Sequence, residues 1–169
     1  MRIGIIGPNR TPQLSEDEIN ERKNNLSSVA RIIASTNLEI LLTPDKLSLM
    51  EFFGLEYLKH GGKKIYEVVP LDDEYQPHLN IDLGEIISCG KWPLQPSKFN
   101  KECDVMFCVG YGGMVLAEIG FSGYYNPKII YIINEFISTE LPNDTGLQLK
   151  YININEVEAI VKNLTNNQE

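Results

Sequence analysis

One acid, Glu118, stands inside the apolar stretch "CVGYGGMVLAEIGFS", shortly after the glycines Gly110, Gly112 and Gly113. A strand that ends at Val109, passes through Gly110-Tyr111-Gly112-Gly113 and opens a helix would turn free backbone N–H groups and the positive helix end toward an anion. On that reading Gly110, Tyr111, Gly112, Gly113, Met114 and Val115 form a phosphate cradle, and Glu118, about a turn and a half into the helix, faces whatever is held there. Such a carboxylate can stabilise a developing positive charge, attack as a nucleophile or hold a sugar hydroxyl. The plain alternative is that glycine turns join strands to helices in proteins that bind nothing, and that Glu118 is a salt-bridged or rim-exposed acid. A second turn, Gly7-Pro8-Asn9, closes the first apolar strand and supplies further candidate ligand contacts.

The remaining chemistry-bearing residues are sparse. Cys89, Cys103 and Cys108 have no C-x-x-C spacing, and His60 and His78 lie far from them, so buried thiols are expected and no metal site is read. The net charge of −8, from 15 basic and 23 acidic residues, disfavours a grip on a nucleic acid backbone but leaves room for a small anion in a local cradle. No apolar run approaches the roughly 20 residues of a membrane span, and no signal-like segment opens the sequence, so a cytoplasmic protein is expected.

These groups need elements to position them, and periodicity supplies the order. "RIGIIGPN" reads as a strand. Ser15 with Glu18 forms a capping box, and Ile19, Leu26, Ala30 and Ile33 follow on one helical face. "LEILLT" is the next strand, closed by Pro44-Asp45. Ser48 with Glu51 offers a second box, flanked by Leu47 and Phe52 in the positions of a hydrophobic staple, and that helix should stop at Gly61-Gly62. Strands "KKIYEVVP" and "GEIISC", a helix near Ser97 to Glu102, strands "DVMFCVG" and "PKIIYII" around the Glu118 helix, strand "LKYIN" and a helix from Asn155 to Asn163 complete the alternation. The pattern predicts an α/β fold: a three-layer, doubly wound parallel sheet, Rossmann-like, in one nucleotide-binding domain over 1–169. In such sheets ligands sit beyond the carboxyl ends of the strands.

The segments "RIGIIGPNRTP", "LEILLTPDKLSLMEFFGLEYLKHGGKKIYEVVP" and "CDVMFCVGYGGMVLAEIGFSGYYNPKIIYI" resemble, in order, the Rossmann-like superfamily of lonely-guy phosphoribohydrolases and molybdenum-cofactor carrier proteins, long labelled "possible lysine decarboxylase". The resemblance implies a homodimer that binds a nucleotide or pterin-type cofactor. In the hydrolase branch it implies cleavage of the N-glycosidic bond of a nucleoside 5′-monophosphate, with Glu118 catalytic. No pyridoxal-phosphate lysine is recognisable, so decarboxylation is rejected.

The sequence departs from the hydrolase loop P-G-G-x-G-T-x-x-E. Met114 stands where that loop has glycine, and Val115 where it has the phosphate-binding threonine. The expected arginine upstream of Asp104 is missing from "KWPLQPSKFNKEC", which offers only Lys91, Lys98 and Lys101, and Pro44-Asp45 replaces a glycine pair. A lysine is a point charge and an imperfect substitute for a guanidinium fork. "Glu118-Ile119-Gly120-Phe121-Ser122" is also similar to the nucleophile helix of nucleoside 2-deoxyribosyltransferases.

Three readings follow: a nucleotide or cofactor carrier, ranked first because the threonine and arginine are lost; an N-glycosidic hydrolase or transferase using Glu118; and a ligandless dimeric scaffold. The segments around Asn9 to Gln13 and Lys91 to Ser97 should contact the ligand, yet they match no known reader motif. Phe52, Phe53 and Tyr57 are either dimer surface or core.

Overall fold

The computed structural model describes residues 1–125 and 128–166. Seven strands form one all-parallel sheet in the order β4-β3-β2-β1-β5-β6-β7: β1 (Arg2–Ile6), β2 (Glu39–Leu42), β3 (Ile65–Val69), β4 (Glu85–Ser88), β5 (Val105–Cys108), β6 (Ile130–Ile133) and β7 (Leu149–Ile152). Among the described residues four α-helices cross between strands, α1 (Glu16–Ala34), α2 (Leu49–Lys59), α3 (Gln95–Glu102) and α4 (Gly113–Phe121), and a fifth, α5 (Ile154–Asn166), follows β7. Among the described residues no helix is long and apolar enough to cross a membrane.

Alternation along the strands fills two cores. Ile3 and Ile5 of β1 and Phe107 of β5 pack with Leu26 and Ile33 of α1, Phe53 and Tyr57 of α2, and Val157 and Val161 of α5. Ile6 and Met106 pack on the other face with Phe99 of α3 and Val115 and Ile119 of α4. The sheet is thus covered on both faces, as buried parallel strands require. Phe53 and Tyr57 are core, with the Tyr57 hydroxyl donating to the Leu38 carbonyl at 2.7 Å.

Chain direction reverses its winding between β1 and β5, which pair from Ile3–Val105 to Ile6–Cys108. The crevice beyond these two carboxyl ends is the switch point where ligands bind in sheets of this kind.

The local reading needs four corrections. α1 carries the full capping box, but α2 carries half of one: Ser48 Oγ accepts from the Glu51 amide, whereas Glu51 Oε2 accepts from Leu47 N rather than from Ser48 N. The staple is absent, because Leu47 takes a left-handed φ of 58° and its side chain is 96% exposed. α3 begins at Gln95, two residues earlier than expected, continuing from a short 3-10 turn, Trp92–Leu94, with Pro96 in the first turn where a missing N–H costs nothing. α5 runs to Asn166, past the expected Asn163. Pro127, the first residue of the expected strand "PKIIYII", and the last three residues of the expected domain lie outside the described residues.

Candidate functional site

α4 begins at a glycine N-cap, Gly112, with no side chain capping it. Its first helical bond runs from the Leu116 amide to the Gly112 carbonyl at 3.0 Å, which leaves the N–H groups of Gly113, Met114 and Val115 for an outside acceptor. They open on a cleft of about 220 Å³ lined by Gly7, Pro8, Asn9, Arg10, Thr43, Trp92, Gln95, Gly112, Gly113, Met114, Val115 and Glu118.

The structure therefore brings together Gly7-Pro8-Asn9, the start of α4 and Glu118. Gly110 and Tyr111 do not line this cleft. Gly110 instead holds the loop: its φ is +125°, and a Cβ there would lie 2.6 Å from Arg22 Nη1. That arginine bridges two strand ends, donating to the Val109 and Phe136 carbonyls at 3.4 and 3.1 Å. Tyr111 packs with Leu141, Leu147 and Tyr151 against the second core, where burial raises its phenol above the ordinary value. Gly112 and Gly113 need no positive φ, and a Cβ on Gly113 would meet nothing.

Gly7 serves close packing, since a Cβ there would sit 2.6 Å from Val109 Cγ2. Asn9 lines the cleft, but its side chain is committed to the scaffold: Oδ1 accepts from Asp45 N at 3.2 Å and Ser48 Oγ at 2.9 Å, and Nδ2 reaches the Thr43 carbonyl at 3.4 Å. Val115 puts its side chain into the core, so its contribution to the cleft is backbone.

Glu118 is buried, 6% exposed, and its side-chain partner is Gln95, whose Nε2 donates to Oε1 at 2.8 Å. Burial pushes the carboxyl up from 4.5 to about 8, and the Gln95 bond offsets only part of that. The segment expected to provide a cation thus provides a neutral amide. Lys98 pairs with Glu102 at 2.8 Å and Lys101 lies 4.7 Å over the Tyr125 ring; neither these nor Lys91 line the cleft. A cationic residue does line the cleft, from the other loop, as Arg10.

Arg10, Thr43, Trp92 and Gln95 are the lining residues that the motifs did not single out. Arg10, Trp92 and Gln95 fall in the two unassigned segments flagged from sequence, and Thr43 carries no local signal because its place depends on the β2–β3 pairing. Its Oγ1 donates to the Val68 carbonyl at 2.8 Å and accepts from Gln95 Nε2 at 2.9 Å. Trp92 is backed by Tyr75 at 5.0 Å between ring centroids, and Tyr75 donates its hydroxyl to Asp45 Oδ2 at 2.8 Å. Asp45, in the place of the missing glycine pair, is buried; that raises its carboxyl, with Tyr75 and then Arg10 opposing the shift.

A larger, mostly apolar groove of about 550 Å³ adjoins along α1 and α2 and shares Asn9 and Arg10 with the cleft. It lacks Glu118 and the α4 amides, so the polar chemistry belongs to the smaller space. Cys89, Cys103 and Cys108 are free and buried, their thiols pushed up to about 11, 12 and 12. Among the described residues no cluster of His, Cys, Asp and Glu is arranged to hold a metal ion.

No protein-family model matches the sequence, and a search of curated proteins returns no match. Solved structures do match along nearly the whole chain. The molybdenum cofactor carrier protein of Chlamydomonas reinhardtii superposes with a TM-score of 0.73 at 18% identity, covering 98% of each chain. The molybdenum cofactor binding protein of the phototrophic bacterium Rippkaea orientalis superposes with a TM-score of 0.71 at 18% identity, covering 96% of each. The chain therefore has the Rossmann-like fold that its sequence resembles, and in particular the fold of these cofactor carriers.

Proposed function

We propose that the protein binds a small phosphorylated ligand of pterin or nucleotide type in the cleft between Pro8–Arg10 and Gly112–Glu118, as a carrier or binding protein. One observation carries this reading: Glu118 is buried against the neutral amide of Gln95, and among the described residues no cation pairs with it. A carboxyl pushed to about 8 is mainly protonated at neutral pH, whereas a nucleophile or stabiliser of an oxocarbenium-like transition state has to be ionised. The protonated group is instead a hydrogen-bond donor that suits a neutral ligand moiety. The α4 amides and Arg10 supply the complement to a phosphate. Carriers of a pterin-type cofactor share the fold, which agrees with this reading.

Mass spectrometry of the small molecules released on denaturing the purified protein is the test. A phosphorylated pterin or nucleotide in near-stoichiometric amount is expected. Absence of any such compound, together with no calorimetric binding of inorganic phosphate, pterin phosphates or nucleoside monophosphates at millimolar concentration, would overturn the reading.

A second reading keeps the N-glycosidic hydrolase or transferase. It rests on Glu118 occupying the same helix as the uncapped amides, about 7.5 Å along the axis from Gly113, the reach of a sugar attached to a held phosphate. Product analysis on nucleoside 5′-monophosphates and 2′-deoxynucleosides decides it. Turnover that falls at least hundredfold in Glu118→Gln supports catalysis, and no product from any substrate removes it.

A further inference from the structure

Gln95 is 1% exposed and lines the cleft. Its amide is used unevenly. Nε2 donates to Thr43 Oγ1 at 2.9 Å and to Glu118 Oε1 at 2.8 Å, which commits both of its protons. Oε1 has no partner. The orientation of the amide is fixed by its neighbour: the Thr43 hydroxyl gives its one proton to the Val68 carbonyl and can only accept from Gln95, so nitrogen rather than oxygen must face it. Among the described residues the other partnerless buried side-chain atoms belong to Arg2, Asp45, Glu67, Asn100 and Tyr111, and none of those residues lines the cleft. A buried acceptor left without a donor is costly, and an orphan on a side chain that lines a cleft is relieved when a small turn of that side chain brings it to a donor on a ligand.

We infer that Gln95 reads the ligand directly, its Oε1 accepting a hydroxyl or ring N–H from the part of a phosphorylated ligand that lies beside Glu118. The inference rests on the cleft being a phosphate-ligand site. A phosphate at the first turn of α4 puts the recognised donor roughly 5–8 Å away, by the rise from Gly113 to Glu118. The ligand class is then a phosphomonoester whose ring, one or a few bonds from the phosphate, carries a donor on the edge that faces Gln95. Glu118, held by the same amide, hydrogen-bonds an adjacent group of that ring. Gln95 thereby sets which ring is accepted, while the α4 amides recognise only the phosphate that every such ligand shares. A ring with no donor at that edge leaves Oε1 buried and unpaired, and is rejected for that reason.

Calorimetry with two probe pairs tests this in wild type and in Gln95→Met, which keeps length and removes the acceptor. The pairs are AMP with its 2′,3′-dideoxy analogue, and a pterin-6-ylmethyl phosphate with its N3-methyl analogue. In at least one pair, deleting the ligand donor should weaken binding to wild type tenfold or more, and the difference should shrink to under threefold in Gln95→Met. If Gln95→Met does not give a cooperative melt, Gln95→Leu takes its place in the same cycle. Equal donor-deletion costs in wild type and variant, or no cost in either pair, overturn the role of Gln95 while leaving the cleft as a ligand site. Failure of all four probes to bind wild type overturns the cleft reading and this inference together.

Discussion

Burying the Glu118 carboxyl beside an amide ties the stability of the fold to pH. Its pKa is raised in the folded chain, from 4.5 to about 8, so the folded state holds a proton that the unfolded state releases. That stability is full below about pH 4.5, declines as pH rises by up to about 1.4 kcal/mol per unit, and is lost by about pH 8. Glu67 and Asp45 are raised by burial too and contribute in the same direction. Glu118→Gln should therefore flatten the fall in Tm between about pH 5 and about pH 8, without abolishing it. Melts that keep the wild-type slope would show that Glu118 is ionised in the native protein. The glycines separate loop geometry from binding in a similar way. Gly110→Val adds a β-branched side chain at a φ of +125° and against Arg22, and should cost on the order of 2 kcal/mol or more in chemical denaturation. Gly113→Val meets open space, so it should melt within a few degrees of wild type while lowering affinity for a phosphate-bearing ligand at least tenfold. The reverse pattern would place the anion contacts at Gly110.

At the scale of elements, the two capped helices differ in a measurable way. Ser15 accepts from the Glu18 amide while Glu18 accepts from Ser15 N, so Ser15→Ala should cost about 1 kcal/mol. Leu47→Ala should be nearly neutral, because the exposed side chain packs on nothing that a staple would provide; a loss above about 1 kcal/mol in urea denaturation would restore the staple. The strands and helices were legible because apolar runs and caps are local signals. Glu118 was legible for the same reason, as a lone acid in an apolar helix. Glu67 gave the same kind of signal in "KKIYEVVP" and passed unnoticed; it is buried on β3, where Oε1 accepts from Gly84 N at 2.7 Å. The start of α3 was missed because Pro93 and Pro96 suggest a break, whereas both sit where a helical turn needs no N–H donor. Gln95 and Thr43 could not be paired from sequence at all, since their contact depends on α3 lying across the end of β2.

For the whole molecule, the resemblance implies a homodimer. Light scattering at micromolar concentration is expected to return about twice the 19.1 kDa chain mass, and a monomeric mass refutes it. The strand order has a consequence for biosynthesis. β4-β3-β2-β1 is assembled from the first part of the chain and β5-β6-β7 from the second, and within the sheet the two halves join along the β1–β5 pairing, with α1 and α5 packed across the same divide. During vectorial synthesis the first half can pair its strands as they leave the ribosome, but β1 remains an open edge until β5 emerges. Gly7, Arg10 and Thr43 belong to the early half, and Gly113 and Glu118 to the late one. On the proposed reading no nascent chain short of α4 would hold the ligand, so a ligand bound at this seam would act as a late fastener, rewarding only chains whose two halves have docked in register.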